Sequence, residues 1–153
     1  MARPPLQTAT PGHLVWRLAM KWRATVDREV APLGLTHSQY ALLASLRGLS
    51  HDGSRPTQRE LADYSGLEPM YVSKLARALE AAGLIERTEH PRDPRAIELA
   101  LTRKGVAIVD KAVAKVRALH DELTAPLGGM QSRQTRELVG ALRALLGEQE
   151  THQ

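Results

Sequence analysis

Residues 57–105 read TQRELADYSGLEPMYVSKLARALEAAGLIERTEHPRDPRAIELALTRKG, and the order of signals in this stretch decides the fold. Thr57-Gln58-Arg59-Glu60 has the form of a capping box, with a hydroxyl to accept from the third residue's N–H and a carboxylate to reach back. It predicts a short helix carrying Leu61 and Ala62, broken at Ser65-Gly66. Glu68-Pro69 starts a second helix, with proline at the first helical position, where its missing N–H costs little. That helix runs to Ala82, and Gly83 is placed to cap it. Two short helices joined by a glycine-containing turn form a helix-turn-helix pattern.

The period then changes. Residues 84–89 read as a strand, and Ile97, Leu99 and Leu101 alternate with polar or small residues in a second one. The turn between them, residues 90–95, is charged and holds two prolines, which cannot donate to a ladder and so belong at a hairpin tip. A helix-turn-helix followed by a β-hairpin is a winged helix.

Upstream, residues 1–12 carry Pro4, Pro5, Pro11 and Gly12 and read as a flexible arm. Val15, Leu18, Trp22 and Val26 follow at helical spacing from His13 to about Ala31, where Pro32 and Gly34 stop the pattern. Another capping box, Thr36 to Gln39, opens a helix with Tyr40, Leu43, Leu46 and Leu49 on or near one face, which fades in the polar loop 50–56. Downstream, Thr102 is the expected N-cap of a long helix reaching about Leu127. Its seam runs Val106, Val109, Val113, Val116, His120, Leu123 and Leu127 in the 3.5-residue repeat of a helix lying along a partner. After Gly128-Gly129 a last helix carries Leu138, Leu142 and Leu145. Seams on three helices exceed what a winged-helix core of about 50 residues can cover, which argues for a homodimer.

The expected fold is therefore mainly α with a small β-hairpin wing. Its parts are an arm over 1–12, a dimerisation helix over 13–34, a winged helix-turn-helix over 35–104, and C-terminal dimerisation helices over 105–153.

Composition narrows the function. A chain of 153 residues with 42% apolar and 25% charged residues fits one globular domain of ordinary size. No apolar run approaches the ~18–20 residues of a bilayer span, and the N-terminal stretch lacks the apolar middle of a signal peptide, so a cytoplasmic protein is expected. With no Cys, thiol nucleophiles, disulfides and Cys-based zinc sites are excluded. The net charge of +4 suits a polyanionic partner. Residues 55–104, however, hold nine Lys/Arg against eight Asp/Glu, so a nucleic-acid surface must come from spatial sorting of charge.

On a helical wheel, Val72, Leu75, Ala76 and Leu79 share one side of the helix from Pro69 to Ala82, while Met70, Ser73, Lys74 and Arg77 share the other. Tyr71 lies at the flank. Cationic, hydroxyl and adaptable apolar groups near the start of such a helix are what meet base edges and phosphates in a major groove. An ordinary solvated helix face has the same pattern. At the hairpin tip, Arg92 and Arg95 suit the negative potential of a narrow minor groove, and a generic charged turn that keeps a sheet edge soluble reads the same way.

Taken in order, these residues resemble the multiple antibiotic resistance regulator (MarR) family. The resemblance is carried by residues 79–85 (LEAAGLI), by Asp93-Pro94-Arg95 as the wing's Asp-x-Arg, and by residues 101–105 (LTRKG), and it extends over roughly residues 13–149. It implies a homodimer that binds a palindromic operator in double-stranded DNA as a transcriptional regulator of the repressor kind. Pro69, Met70, Tyr71, Ser73, Lys74 and Arg77 would face the major groove and Arg92, Asp93 and Arg95 the minor groove, with Asp93 bracing the wing. Pro94, inside the Asp-x-Arg, leaves open whether Arg92 or Arg95 reaches deepest.

It also implies release by a small aromatic or phenolic acid. His13, Trp16 and Arg17 could supply a donor, a ring and a guanidinium for it, or Trp16 could simply pack at an interface with His13 and Arg17 at the surface. His120 reads as an interface histidine, and no metal or cofactor is expected. No G-x-S-x-G, phosphate-binding glycine loop or H-E-x-x-H is present, so an enzyme is not expected. The competing function is an architectural or protein-assembly winged helix without ligand response.

Overall fold

The structure is a computed structural model that describes residues 9–148. Helices α1 (Pro11–Val30), α2 (His37–Leu49), α3 (Gln58–Ser65) and α4 (Pro69–Ala81) precede strands β1 (Ile85–Glu89) and β2 (Ile97–Leu101). Helices α5 (Arg103–Thr124) and α6 (Arg133–Leu146) complete the fold. This is the mainly α winged helix-turn-helix read from the sequence. Internal contacts divide the chain into two units, one ending at Ala114 and one beginning at Lys115.

In the first unit, α1 begins at Pro11, within the stretch read as an arm; residues 1–8 of that arm lie outside the described residues. The reason is local. Thr10 is extended and its hydroxyl accepts from the His13 N–H at 3.3 Å, so Pro11 occupies a first-turn position where proline is favoured. The helix ends at Val30, and Ala31–Leu33 continue as one 3-10 turn to Gly34, whose φ of 76° needs glycine.

Both capping boxes are present. Thr36 accepts from Gln39 N–H at 3.2 Å and its own N–H donates to the Gln39 side chain. Thr57 and Glu60 exchange the same pair. Between them α2 serves as the core helix: Leu42, Leu43 and Leu46 are almost wholly buried. Tyr40 and Leu49, expected beside Leu43 and Leu46, are only half-buried, and Leu42 takes the place in the core. A helix surrounded by α1, α3, α4 and β2 buries more than one stripe. Each of these leucines contributes about 1.5–3 kcal/mol by leaving water.

The strands pair antiparallel with Ile85 opposite Leu101, Arg87 opposite Leu99 and Glu89 opposite Ile97. Leu99 is fully buried, its N–H donates to the Pro56 carbonyl at 2.9 Å, and Thr57 bridges Glu98. The start of α3 is thereby fastened to the hairpin. At the exit from β2 the Leu-Thr-x-x-Gly stretch has a mechanical meaning. Thr102 N–H donates to Leu84 O at 3.1 Å, its hydroxyl donates to Gly83 O at 2.6 Å and accepts from Gly105 N–H at 3.0 Å. Gly105 lies so close that a side-chain carbon would overlap the Leu84 carbonyl. On α5, Val109 and Ala112 are buried while Val106 and Val113 are half-buried. Arg47 of α2 holds Asp110 with an Nε–Oδ1 distance of 3.0 Å.

In the second unit α5 continues through buried Val116 and Leu119, while His120 and Leu123 are half-buried. The expected single seam is thus two adjacent rows, one buried and one partly open. The helix stops at Thr124, short of Leu127, because Pro126 cannot donate an N–H; Ala125–Leu127 form a 3-10 turn. Thr124 is buried with its hydroxyl donating to His120 O at 2.7 Å. Burial holds the His120 imidazole below its ordinary pKa, opposed by nearby Asp121. Ser132 caps α6 through the Thr135 N–H at 3.1 Å, and Thr135 hydroxyl donates to Gly129 O at 2.8 Å. Leu138 and Leu142 are half-buried, whereas Leu145 and Leu146 are exposed. No helix among the described residues is long and apolar enough to cross a membrane.

Candidate nucleic-acid interface

Helix α4 buries Val72, Leu75, Ala76 and Leu79, the four residues that the wheel placed inward. This fixes its rotation, and everything on the opposite side follows from it. Met70, Tyr71, Ser73, Lys74 and Arg77 line a single open depression together with Glu68. The structure therefore brings together five of the six α4 residues singled out from sequence. Glu68 was singled out only as the start of the helix, and its side chain does more. Its carboxylate accepts from Met70 N–H at 3.1 Å and Tyr71 N–H at 3.0 Å. A carboxylate on the first-turn donors stabilises the helix end electrostatically. It also occupies N–H groups that a phosphate would otherwise use, so the cationic contribution of this face comes from Lys74 and Arg77.

Pro69, the sixth residue, lines a second depression with Asp93 and Arg95 of the wing and Thr57, Gln58 and Arg59 at the start of α3. Reading along the chain missed Gln58 and Arg59. The proximity comes from the Thr57–Glu98 bridge, a pairing between segments about 40 residues apart that no local pattern encodes. Arg59 and Arg95 give this depression two cations against Asp93.

The wing tip is built from its own backbone donors. Asp93 Oδ1 accepts from Arg95 N–H at 3.0 Å, and Ala96 N–H donates to Asp93 O at 3.0 Å. Asp93 thus braces the turn by a hydrogen bond to the backbone and leaves the Arg95 guanidinium out of that contact. His90 Nδ1 accepts from Arg92 N–H at 3.1 Å and Asp93 N–H at 3.3 Å. Backbone N–H groups only donate, so Nδ1 carries no proton and the hydrogen sits on Nε2, 3.7 Å from Glu98 Oε1. His90 was not singled out for this role. Its signal was a histidine two and three residues ahead of the turn N–H groups it caps. Arg92 and Arg95 are both exposed.

The wing root is tied to the helix-turn-helix by Arg87. Its backbone N–H donates to Glu80 Oε2 at 3.1 Å, its Nε donates to Gln58 Oε1 at 3.1 Å, and a guanidinium nitrogen lies 3.7 Å from Glu80 Oε1. One half-buried side chain thus joins α3, the end of α4 and β1. Such a link sets the position of the hairpin relative to the exposed face of α4.

His13, Trp16 and Arg17 are exposed on the first half of α1, with Trp16 at 64% of full exposure. Among the described residues, no group of three His, Asp or Glu side chains is placed to hold a metal ion.

Comparison with known proteins gives one consistent result. Residues 35–97 match the family model described as MarR family. An uncharacterised HTH-type transcriptional regulator of Bacillus subtilis, YdcH, is 36% identical over 110 residues, covering 72% of this chain and 75% of that protein. An HTH-type transcriptional repressor of Mycobacterium tuberculosis is 30% identical over 134 residues, covering 86% of this chain and 91% of the relative. Among solved structures, a MarR mutant from E. coli complexed with operator DNA is similar with a TM-score of 0.78 and 26% identity, covering 88% of this chain and 92% of that one. These relatives are regulators, not enzymes.

Proposed function

The chain belongs to the MarR family of transcriptional regulators, and we propose that it acts as a homodimeric repressor bound to a palindromic operator. The observation that carries this reading is the shared placement of Met70, Tyr71, Ser73, Lys74 and Arg77 on one exposed side of a helix whose other side is locked into the core. The α4 face enters a major groove. The wing, stiffened by Asp93, His90 and Pro94, carries Arg95 and Arg92 to the adjacent minor groove. The similar E. coli protein complexed with operator DNA supports the DNA-binding part of this reading.

The homodimer is supported by apolar side chains that a lone chain leaves open. On α1 these are Leu14, Val15, Trp16, Leu18 and Met20; on α6 they are Val139, Leu145 and Leu146. Exposed apolar residues clustered along a helix mark an association surface, and a two-fold dimer matches a palindrome. Regulation by a small aromatic or phenolic acid is part of the same proposal. His13, Trp16 and Arg17 offer an imidazole, a ring and a guanidinium within about one turn of α1.

The test is Lys74→Ala and Arg77→Ala, measured against a duplex selected by the full chain. Each should weaken binding by about 1–3 kcal/mol if it contacts a base. Unchanged affinity in both variants would remove this face as the reader.

A further inference from the structure

Of the residues lining the α4 depression, Glu68, Tyr71, Ser73, Lys74 and Arg77 all bear hydrogen-bonding side chains, and Met70 alone does not. It is also the most exposed large apolar residue described, at 80% of full exposure. A single exposed apolar side chain is ordinary on a protein surface; its position is what distinguishes this one. Met70 stands three, four and seven residues before Ser73, Lys74 and Arg77, so it heads the stripe that presents them and does not sit at its flank. Its backbone N–H is held by the Glu68 carboxylate, which fixes the first turn, while its thioether chain stays free and flexible.

We infer that Met70 is a specificity-determining residue that reads the C5-methyl group of a thymine in each operator half-site. This rests on the proposed DNA-binding role of α4. The major groove presents hydrogen-bonding atoms at every base pair but only one apolar feature, the thymine methyl. Lys74, Arg77 and Ser73 have partners among the heteroatoms. Met70 gains free energy in the groove only by taking apolar surface out of water together with another apolar group. A cytosine or purine edge at that position would instead lose water from its polar atoms against a side chain unable to replace the hydrogen bonds. Met70 therefore selects for thymine and also against the alternatives.

Thymine and uracil differ in this one methyl group, which makes the test an atomic deletion. The full chain first selects a duplex from a random library. Each thymine of the selected duplex is then replaced by deoxyuridine, one symmetric pair at a time, and the dissociation constants of the wild type and Met70→Ala are measured. One pair should weaken wild-type binding about fourfold per half-site, the worth of a methyl group taken out of water, or about fifteenfold with both replaced. Met70→Ala should bind the thymine and uracil duplexes equally, and Met70→Leu should keep the preference. Because the side chain is exposed, circular dichroism should show all three proteins equally folded. A wild type indifferent to every replacement overturns the inference, as does a selected site without thymine or an undiminished preference in Met70→Ala. Failure to enrich any duplex would overturn the DNA-reading proposal as well, whereas an enriched but methyl-blind protein overturns only the role of Met70.

Discussion

Replacing Gly105 by alanine tests the joint that fastens the wing to α5. The new methyl group would overlap the Leu84 carbonyl oxygen and lie 3.3 Å from Leu101 Cδ2. Restoring ordinary van der Waals distance requires α5 to retreat from the end of α4 by on the order of 1 Å or more. That movement stretches the Thr102 N–H bond to Leu84 O and the Thr102 hydroxyl bond to Gly83 O, now 3.1 and 2.6 Å. Losing them costs about 1 kcal/mol each, and residual overpacking adds about 1–3 kcal/mol. Alanine's better helix propensity returns up to about 1 kcal/mol. The net expectation is a loss of about 2–4 kcal/mol, a large part of the ~5–15 kcal/mol typical of such domains.

Urea unfolding followed by circular dichroism measures it. Gly48→Ala is the control: Gly48 lies in α2, where the new carbon would meet only the Tyr64 hydroxyl at an ordinary 3.7 Å. It should be neutral or more stable by up to about 1 kcal/mol. A Gly105→Ala protein within about 0.5 kcal/mol of wild type would refute the reasoning, because that is the scale of an inconsequential surface change.

Arg95→Ala should weaken operator binding while leaving dimer and melting temperature unchanged, since the hydrogen bond to Asp93 comes from the backbone and survives; unfolding would make Arg95 structural. Arg87→Met should cost about 1–2 kcal/mol of stability by leaving Gln58 Oε1 without its donor and taking the guanidinium away from Glu80, which keeps only the Arg87 backbone N–H, and should speed amide exchange in β1; unchanged exchange there would mean the link does not hold the wing root. His37 is held below its ordinary pKa by burial first and by Arg23 second, with Asp27 opposing. The unfolded chain then takes up the proton more readily, so His37's contribution to stability is present above about pH 6.5 and is lost as pH falls below it. His37→Gln should flatten that part of the urea-midpoint profile, and an unaltered profile would contradict the assignment.

The features visible in the sequence were those fixed by local chemistry. Capping boxes at Thr36 and Thr57, proline at the start of α4 and the alternation of Ile97, Leu99 and Leu101 each act within a few residues. The helix-turn-helix, the wing and the inward face of α4 could therefore be read directly. Pro11 was misread because proline marks loops and also first turns, and only the Thr10 cap decides between them. On α5, Val109 and Val116 belong equally to the expected seam and to a second 3.5-residue row completed by Ala112 and Leu119; it is this second row that the fold buries, and spacing alone does not choose between the two. Arg59, Gln58 and the bridging role of Arg87 depend on β2 pairing with the start of α3. The capping role of His90 depends on the path of the tip. Those are tertiary facts, and sequence patterns of short period do not contain them.

Specific reading of DNA by the α4 face is tested most directly by comparing one selected duplex with a shuffled duplex of equal composition, at low and at physiological salt. A specific regulator should prefer the selected duplex at least about a thousandfold at physiological salt. Its affinity for the shuffled duplex should fall steeply with added salt, as counterion release demands. Equal affinity for both duplexes, falling together with salt, would contradict sequence reading and leave a non-specific architectural DNA binder.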